Sequence, residues 1–289
     1  MKNQKFGIEI EFTGMSRCEA ARVVAQYLQT HERYDGGIYD EYSIIDNQGR
    51  KWKIVSDSSI RCSGTSKTQC ELVSPICTYE DIEQIQEIVR QLRHKGMMVN
   101  ETTGIHIHID ASTHTAQSLK NLANIMSSKE DLLFEALNVN QERANRWCKK
   151  VDEKFLDKLN TRRKKDMNSI RKIWYNGNDE ANLHYSTTRY RALNLHSVWQ
   201  KGTIEFRCFN STTHAGKVKA YIQLCLAISH QAKTQTCATR RHTESTNHKY
   251  TFRTWLLRLG LIGDEFKTAR KHLLANLNGN IAWRNREVA

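Results

Sequence analysis

The chain of 289 residues lacks long apolar runs and contains a single proline, Pro75. No segment approaches the length of a membrane-spanning helix. Residues 1–5 lead directly into the first predicted strand, without the apolar stretch of a signal peptide. Internal repeats and low-complexity tracts are also missing. These absences predict a cytoplasmic protein, long enough to bury a substantial core as one large domain or two small ones.

Paired cysteine motifs are missing as well. Because the sequence has no CxxC pair and no closely spaced disulfide framework, we expect reduced thiols. Cys62, Cys70 and Cys77 raise the alternative of a zinc cluster, but their spacing does not match the common zinc ribbons and fingers. The eight cysteines are Cys18, Cys62, Cys70, Cys77, Cys148, Cys208, Cys225 and Cys237.

Acidic residues are in the minority. The 44 Lys and Arg residues outnumber the 31 Asp and Glu residues, which gives a net charge of +13. This charge favours anionic partners, namely nucleotide phosphates, carboxylates, nucleic acid or an acidic protein, without choosing among them. Residues 143–185 are polar and basic. A solvated helix face or a mobile insertion is the simpler interpretation of this region, and a peptide- or nucleic-acid-binding surface is the alternative.

Strand and helix patterns alternate irregularly along the chain. Ser16 and Glu19 form a capping box that opens a helix through about Gln29, and Pro75 ends a strand at 70–74. Further elements are predicted as a hairpin within 38–60, a strand at 97–99, and helices over 78–96, over 116–139, after 217 and around 255–260.

This irregular order predicts an α+β fold. We expect a single catalytic domain over residues 1–289. A basic helical insertion at about 140–185 and a helical C-terminal extension at about 215–289 are expected to add to it.

Three short segments alternate an ionisable side chain with an apolar one. They are GIEIEF at 7–12, GIHIHID at 104–110 and TIEFRCF at 203–209. Since neighbouring side chains of a strand point to opposite faces, each segment places Ile or Phe on one side and charged or histidine side chains on the other. If the three strands lie in one sheet, one face is core and the other is densely charged. That pattern indicates a metal and anion site.

Carboxylates and a histidine pair supply candidate metal ligands. Glu9 and Glu11 share a strand face and would repel each other unless a cation lay between them, although an exposed edge strand would explain them equally well. His106 and His108 also share a face, and two imidazoles at this spacing can point into one cleft. Mg²⁺ or Mn²⁺ fits such a site if carboxylates dominate, and zinc fits if histidines do.

The third segment pairs Glu205, another candidate ligand, with Arg207. A guanidinium can bind a carboxylate or phosphate through two parallel hydrogen bonds, although a cross-strand salt bridge explains this pair as well. Arg191 and Asn194 precede that strand and add a cation and an amide. Together, the carboxylates, histidines and arginines favour a metal-bound polyphosphate over a hydrolytic water.

The order of these motifs resembles the amidoligase family, relatives of glutamine synthetase and glutamate-cysteine ligase. The resemblance spans roughly residues 6–210. It rests on Glu9-Ile10-Glu11, Asp57-Ser58-Ser59, Glu71-Leu72-Val73-Ser74-Pro75, Gly104-Ile105-His106-Ile107-His108, Arg191 to Asn194 and Glu205-Phe206-Arg207. It implies a curved, mostly antiparallel sheet of the glutamine synthetase type with flanking helices. It also implies a carboxylate-amine ligase that uses ATP and Mg²⁺ or Mn²⁺ and acts through an acyl-phosphate.

The resemblance also implies roles for individual residues. Metal ligands would be Glu9, Glu11, Glu71, His106 and Glu205. His108 and Arg207 would contact phosphates or the acyl-phosphate, Arg191 and Asn194 would position substrate, and Asp57 would orient or deprotonate the amine. The acid and the amine are not identified, and a peptide or protein substrate is left open.

Two other classes of function compete with the ligase. The segment from His106 to Asp110 resembles the HxHxD start of several metal-dependent hydrolase sites, but Ala111 stands where those sites usually carry another histidine. The net charge and the basic stretch 161–173 suggest a nucleic-acid-binding protein, but that stretch has no aromatic residue on which bases could stack. Nucleic acid is therefore a less favoured partner than a carboxylate and an amine.

Overall fold

The computed structural model describes residues 1–62 and 64–283. The chain divides into two compact units. The first unit comprises Lys2–His108 and Phe209–Ile222, and the second comprises Met1, Ile109–Cys208 and, in the described part, residues 223–283. The single-domain organisation stays a prediction, and the last six residues of the expected C-terminal extension lie outside the described residues.

Strands and helices are both well represented. The strands are β1 (Phe6–Phe12), β2 (Glu32–Gly36), β3 (Glu41–Ile45), β4 (Lys51–Val55), β5 (Cys70–Val73), β6 (Gly104–Asp110), β7 (Leu193–Asn194) and β8 (Thr203–Asn210). The helices are α1 (Arg17–Tyr27), α2 (Ile82–His94), α3 (Ala116–Leu137), α4 (Gln141–Arg146), α5 (Glu153–Leu159), α6 (Met167–Trp174), α7 (His196–Gln200), α8 (Ala215–Thr234), α9 (His248–Arg258) and α10 (Lys267–Leu273).

The pairing of strands is antiparallel wherever it is defined. In the first unit the strand order is β2-β3-β4-β5-β1-β6, and β1 with β5, β2 with β3, β3 with β4, and β4 with β5 run antiparallel. In the second unit β7 runs antiparallel to β8. The predicted α+β class and the antiparallel character are thereby confirmed. A sheet of the glutamine synthetase type stays a prediction.

The alternation in β1 produces one apolar face. Ile8, Ile10 and Phe12 are almost completely buried, while Glu9 lies between them on the opposite face. Helix α1 packs on β3 and β4 and against α2. The core of the first unit therefore lies between the apolar face of this sheet and the two helices.

Helix α1 begins as the sequence predicts. Ser16 is the N-cap, and its capping box with Glu19 is formed. Arg17, the first residue of the helix, is buried and donates hydrogen bonds to Asp40 and to the carbonyl oxygens of Ser66 and Gln69. Those bonds fix the segment that leads into β5.

The prediction of a strand at 97–99 is wrong. Only Met98 pairs, through a single antiparallel bridge with Thr13, in which each backbone N–H donates to the other's carbonyl at 2.7–2.8 Å. The chain then turns at once, as Thr103 N donates to the carbonyl of Asn100 at 3.2 Å. A turn this close leaves no room for a longer ladder.

Helices dominate the second unit. His114, ahead of α3, bonds to Ser118 through Nδ1 at 3.0 Å and to Ser229 of α8 through Nε2 at 2.9 Å. The basic region predicted as an insertion carries the three short helices α4, α5 and α6. Nowhere in residues 1–62 and 64–283 does a helix combine the length and the apolar character needed to cross a membrane. All eight cysteines are free thiols.

Candidate active site

Two carboxylates face each other across the pair of strands β1 and β5. Glu11 lies directly opposite Glu71 in the register of these antiparallel strands. Like charges at directly opposed positions destabilise a sheet unless another group compensates them. Glu11 is only 3% exposed, so water screens its charge poorly. The pairing of β1 with β5 thus places two carboxylates side by side, and that of Glu11 is buried.

Side chains able to ligate a metal form two overlapping groups within the first unit. Ligand atoms of Glu9, Glu71 and His106 lie within 4.8 Å of one another, and those of Glu11, Asp57 and Glu71 do the same. Glu71 belongs to both groups. Because one carboxylate offers two oxygens, it can take part in both groups at once.

The histidines contact the glutamates of the neighbouring strand. Nδ1 of His106 lies 3.2 Å from Oε2 of Glu9, and its Nε2 lies 3.4 Å from Oε1 of Glu11. Nε2 of His108 lies 3.2 Å from Oε1 of Glu9. Both histidines are buried, and the structure therefore brings the HxH pair and the Glu9-Ile10-Glu11 pair together as one cluster.

Backbone contacts hold Glu11 in place. Its Oε2 accepts a hydrogen bond of 2.6 Å from Gly104 N, at the start of β6. Its carbonyl oxygen accepts one of 2.6 Å from Ser211 Oγ. One bond holds the carboxylate and the other holds the backbone of the same residue, so Glu11 keeps its geometry without a ligand, which favours binding of a cation at low reorganisation cost.

The donor set of this cluster suits a hard divalent cation. Four carboxylates, those of Glu9, Glu11, Asp57 and Glu71, outnumber the imidazole of His106 in the two groups. Oxygen-rich sets of this kind favour Mg²⁺ or Mn²⁺, whereas zinc favours nitrogen and sulfur donors. The residues present therefore fit the metal that the family resemblance implies.

In the second unit, three of the predicted residues lie together on β7 and β8. Asn194 Nδ2 donates to Oε2 of Glu205 at 2.6 Å, and Arg207 forms an ion pair with Oε1 of the same carboxylate. Arg207 Nε also donates to the carbonyl of Trp147 at 3.4 Å. All three predicted residues are at least nine-tenths buried, so their mutual bonds fix the orientation of the guanidinium.

Arg191 does not join that cluster. Its guanidinium donates to the carbonyl of Lys150 at 3.0 Å and to Oδ2 of Asp152 at 3.2 Å. Among the described residues these are its only side-chain partners. The strand β7 begins two residues later, and the backbone at Arg191 instead pairs with Lys149 in an isolated parallel bridge.

Two contacts in these clusters were not predicted from the sequence, although Asp57 itself is a predicted site residue. Asp57 lies in a turn, where its Oδ1 accepts a 2.7 Å bond from Ser59 N, and no strand alternation signals that it joins Glu11 and Glu71. Arg143, assigned to a solvated insertion, is 2% exposed and donates to the carbonyl of Arg207 at 3.3 Å. Neither contact has a sequence signal, because each joins segments far apart in the chain.

Comparison with known families identifies the chain. Residues 2–229 match the family model described as "putative amidoligase enzyme", which is 228 of the 289 residues. A comparison with curated proteins finds no match. Since the family model covers most of the sequence, including both clusters of candidate site residues, the chain belongs to the amidoligase family, whose name implies a carboxylate and an amine as substrates.

Proposed function

We propose that this protein is an ATP- and divalent-metal-dependent carboxylate-amine ligase that forms an amide bond through an acyl-phosphate. The observation that supports it most strongly is the pair of metal-ligating groups that share Glu71. Carboxylate and amine do not condense favourably in water, so the carboxylate needs activation by a phosphoryl group. A site that binds metals through several carboxylates suits the polyphosphate that would supply that group.

Five side chains are the proposed metal ligands: Glu9, Glu11, Glu71, His106 and Glu205. Bound Mg²⁺ or Mn²⁺ would neutralise phosphate charge and so lower the barrier to phosphoryl transfer. Gly104 and Ser211, which bond to Glu11, would keep that ligand aligned.

Two side chains are proposed to contact phosphate. The guanidinium of Arg207 carries a fixed positive charge suited to the transferred phosphoryl group or the acyl-phosphate. Its ion pair with Glu205 and its bond to Trp147 would hold it in one orientation before the nucleotide arrives. His108 would contribute a hydrogen bond to a phosphate oxygen.

Substrate positioning is assigned to three polar side chains. Asn194 and Arg191 would bind the acid in the second unit. Asp57 would orient or deprotonate the amine, and its position within 4.8 Å of ligand atoms of Glu11 and Glu71 supports a role close to the metals. Neither substrate is specified by these residues, and a peptide or protein acid remains part of the proposal.

The hydrolase alternative has less support. Asp110, the last residue of the HxHxD segment, accepts bonds from Ser112 N and Ser112 Oγ at 2.9 and 2.8 Å, which is a local turn contact. The histidines of that segment instead contact Glu9 and Glu11. A cytoplasmic location is also proposed, because all eight cysteines are free, as expected in a reducing compartment.

The ligase proposal is tested by incubating the purified protein with ATP, Mg²⁺ and a panel of acids and amines. We expect ADP and phosphate to appear only when a suitable acid and amine are both present, together with the amide product. Glu9→Gln should abolish the reaction, because it removes one proposed metal ligand. ATP cleavage without amide formation for every pair of substrates would contradict the proposal.

A further inference from the structure

A cleft of about 600 Å³ opens in the second unit between α3, α9 and the loop 235–247. Its volume lies in the range typical of small-molecule sites. None of the residues that line it belongs to the clusters described above. Its polar lining includes Ser128, Lys129, Gln231, Thr243, Tyr250 and Arg258.

The loop that forms one wall of this cleft is anchored by buried amides of α3. Asn121 Nδ2 donates to the carbonyl of Gln235 at 2.7 Å, and Asn124 Nδ2 donates to that of Ala238 at 2.9 Å. Both asparagines are at most 2% exposed. Breaking these bonds would leave buried amides unpaired, which costs free energy, so the loop is held in place and the cleft exists before any ligand binds.

Two cations face this cleft without a carboxylate partner. Lys129 of α3 donates to Thr243 Oγ1, and Arg258 lies in the last turn of α9. Within residues 1–62 and 64–283 neither side chain forms an ion pair. Glu244 also lines the cleft and, like Arg258, is exposed, but it forms no ion pair with either cation. The other polar groups of the lining are neutral hydroxyls and amides, so the cations outnumber the carboxylate two to one.

The electrostatics of Lys129 point in the same direction. Burial lowers the pKa of its ammonium group, and the positive charge of Arg258 lowers that pKa further. A bound anion would oppose both effects, because it would favour the charged form of Lys129. The cleft is therefore expected to bind an anion more favourably than an isolated surface lysine would.

We propose that this cleft binds a small polar molecule through its phosphate group. A phosphate monoester carries close to two negative charges and three terminal oxygens, which matches two cations surrounded by neutral donors. A monocarboxylate would leave one cation uncompensated. The remaining volume, lined by hydroxyls and amides, suits a hydroxylated body. This site is independent of the proposed ligase activity.

Calorimetric titration of the full chain with ribose 5-phosphate and with ribose tests the proposal. The titrations contain EDTA, so that metal-dependent nucleotide binding cannot contribute. We expect saturable binding of ribose 5-phosphate, displacement of it by excess inorganic phosphate, and no binding of ribose. Lys129→Gln and Arg258→Gln should each weaken binding by about tenfold or more, because each removes one charge-assisted contact.

Arg253→Gln is the matched control. It removes the same charge from the same helix at a residue that does not line the cleft, and we expect it to leave the affinity unchanged. Circular dichroism checks that every variant is folded. Equal binding of ribose and ribose 5-phosphate, no binding of either, or affinities that Lys129→Gln and Arg258→Gln leave unchanged would overturn the proposal.

Discussion

At the scale of single residues, Glu71 has the most consequential position in the candidate active site. It faces Glu11 across two strands and takes part in both metal-ligating groups. Carboxylates clustered in this way destabilise the fold through mutual repulsion. A bound divalent cation removes that repulsion, and the relief adds to the free energy of binding. Metal binding should therefore depend more on Glu71 than on Asp57, which belongs to only one such group.

A different acidic residue, Glu130 of α3, is expected to make the stability depend on pH. Its carboxylate is 2% exposed and accepts a hydrogen bond of 3.0 Å from Val151 N at each oxygen. Burial raises the pKa of Glu130 to about 7, and the bond from Val151 and the charge of Lys150 oppose that rise only in part. The folded state thus keeps a proton on Glu130 that the unfolded chain has already lost.

Glu130→Gln should change how stability depends on pH. Between the usual carboxyl pKa of 4.5 and about 7 the folded state binds more protons than the unfolded state, so the stability of the wild type falls as the pH rises. Glutamine cannot ionise, and its carbonyl oxygen can still accept the bond from Val151. Relative to the wild type, the variant should gain up to about 3 kcal/mol between about pH 5 and about pH 8.

Urea unfolding at both pH values measures this gain. Glu83→Gln, a change at an exposed acid of α2, is the control and should show no pH-dependent difference from the wild type. A constant difference between Glu130→Gln and the wild type at both pH values would contradict the assignment.

Part of the candidate site could be predicted from the sequence. Glu9, Glu11, His106 and His108 were predicted together because strand alternation places each pair on one face, and the structure brings the two pairs into contact. Alternation could not place Asp57, which approaches Glu11 and Glu71 from a turn. Turn residues have no periodicity, so their distant contacts depend on the complete fold.

At the scale of elements, the apolar patterns succeed where an element buries one face. The capping box predicts the start of α1, and alternation predicts β1, β6 and β8. Alternation does not predict whether the polar face of a strand is buried. In β6 both faces are buried, including His106 and His108. The strand β2 was missed because its sequence, ERYDG, is polar and largely exposed and so has no apolar alternation.

The capping box of α1 offers a test at this scale. Ser16→Ala removes the oxygen that accepts from Glu19 N, and it should lower the free energy of unfolding by about 1 kcal/mol. Ser16→Asp keeps an oxygen acceptor at the N-cap and should retain most of the stability. Urea unfolding compares the two variants. If both were as stable as the wild type, the cap would contribute nothing to the fold.

At the scale of the whole molecule, family membership covers the candidate site, whereas the net charge does not identify a substrate. The family model covers residues 2–229, and with it every candidate site residue. The net charge of +13 fits an anionic nucleotide and an acidic substrate equally well, so it selects neither. The α+β class followed from the irregular order of elements. The division into two units had no sequence signal, since the chain crosses between them inside β6, β8 and α8.

The most direct test of the ligase account is metal-dependent binding of a nonhydrolysable ATP analogue to the full chain. Calorimetric titration with the analogue needs no knowledge of the acid or the amine. We expect binding in the presence of Mg²⁺ and none in EDTA.

Glu71→Gln should weaken binding by about tenfold or more. Glu41→Gln, which neutralises a carboxylate of β3 paired with Lys51 and Lys53, should bind like the wild type. Equal binding with Mg²⁺ and with EDTA, unchanged binding by Glu71→Gln, or no nucleotide binding by the wild type would contradict the account.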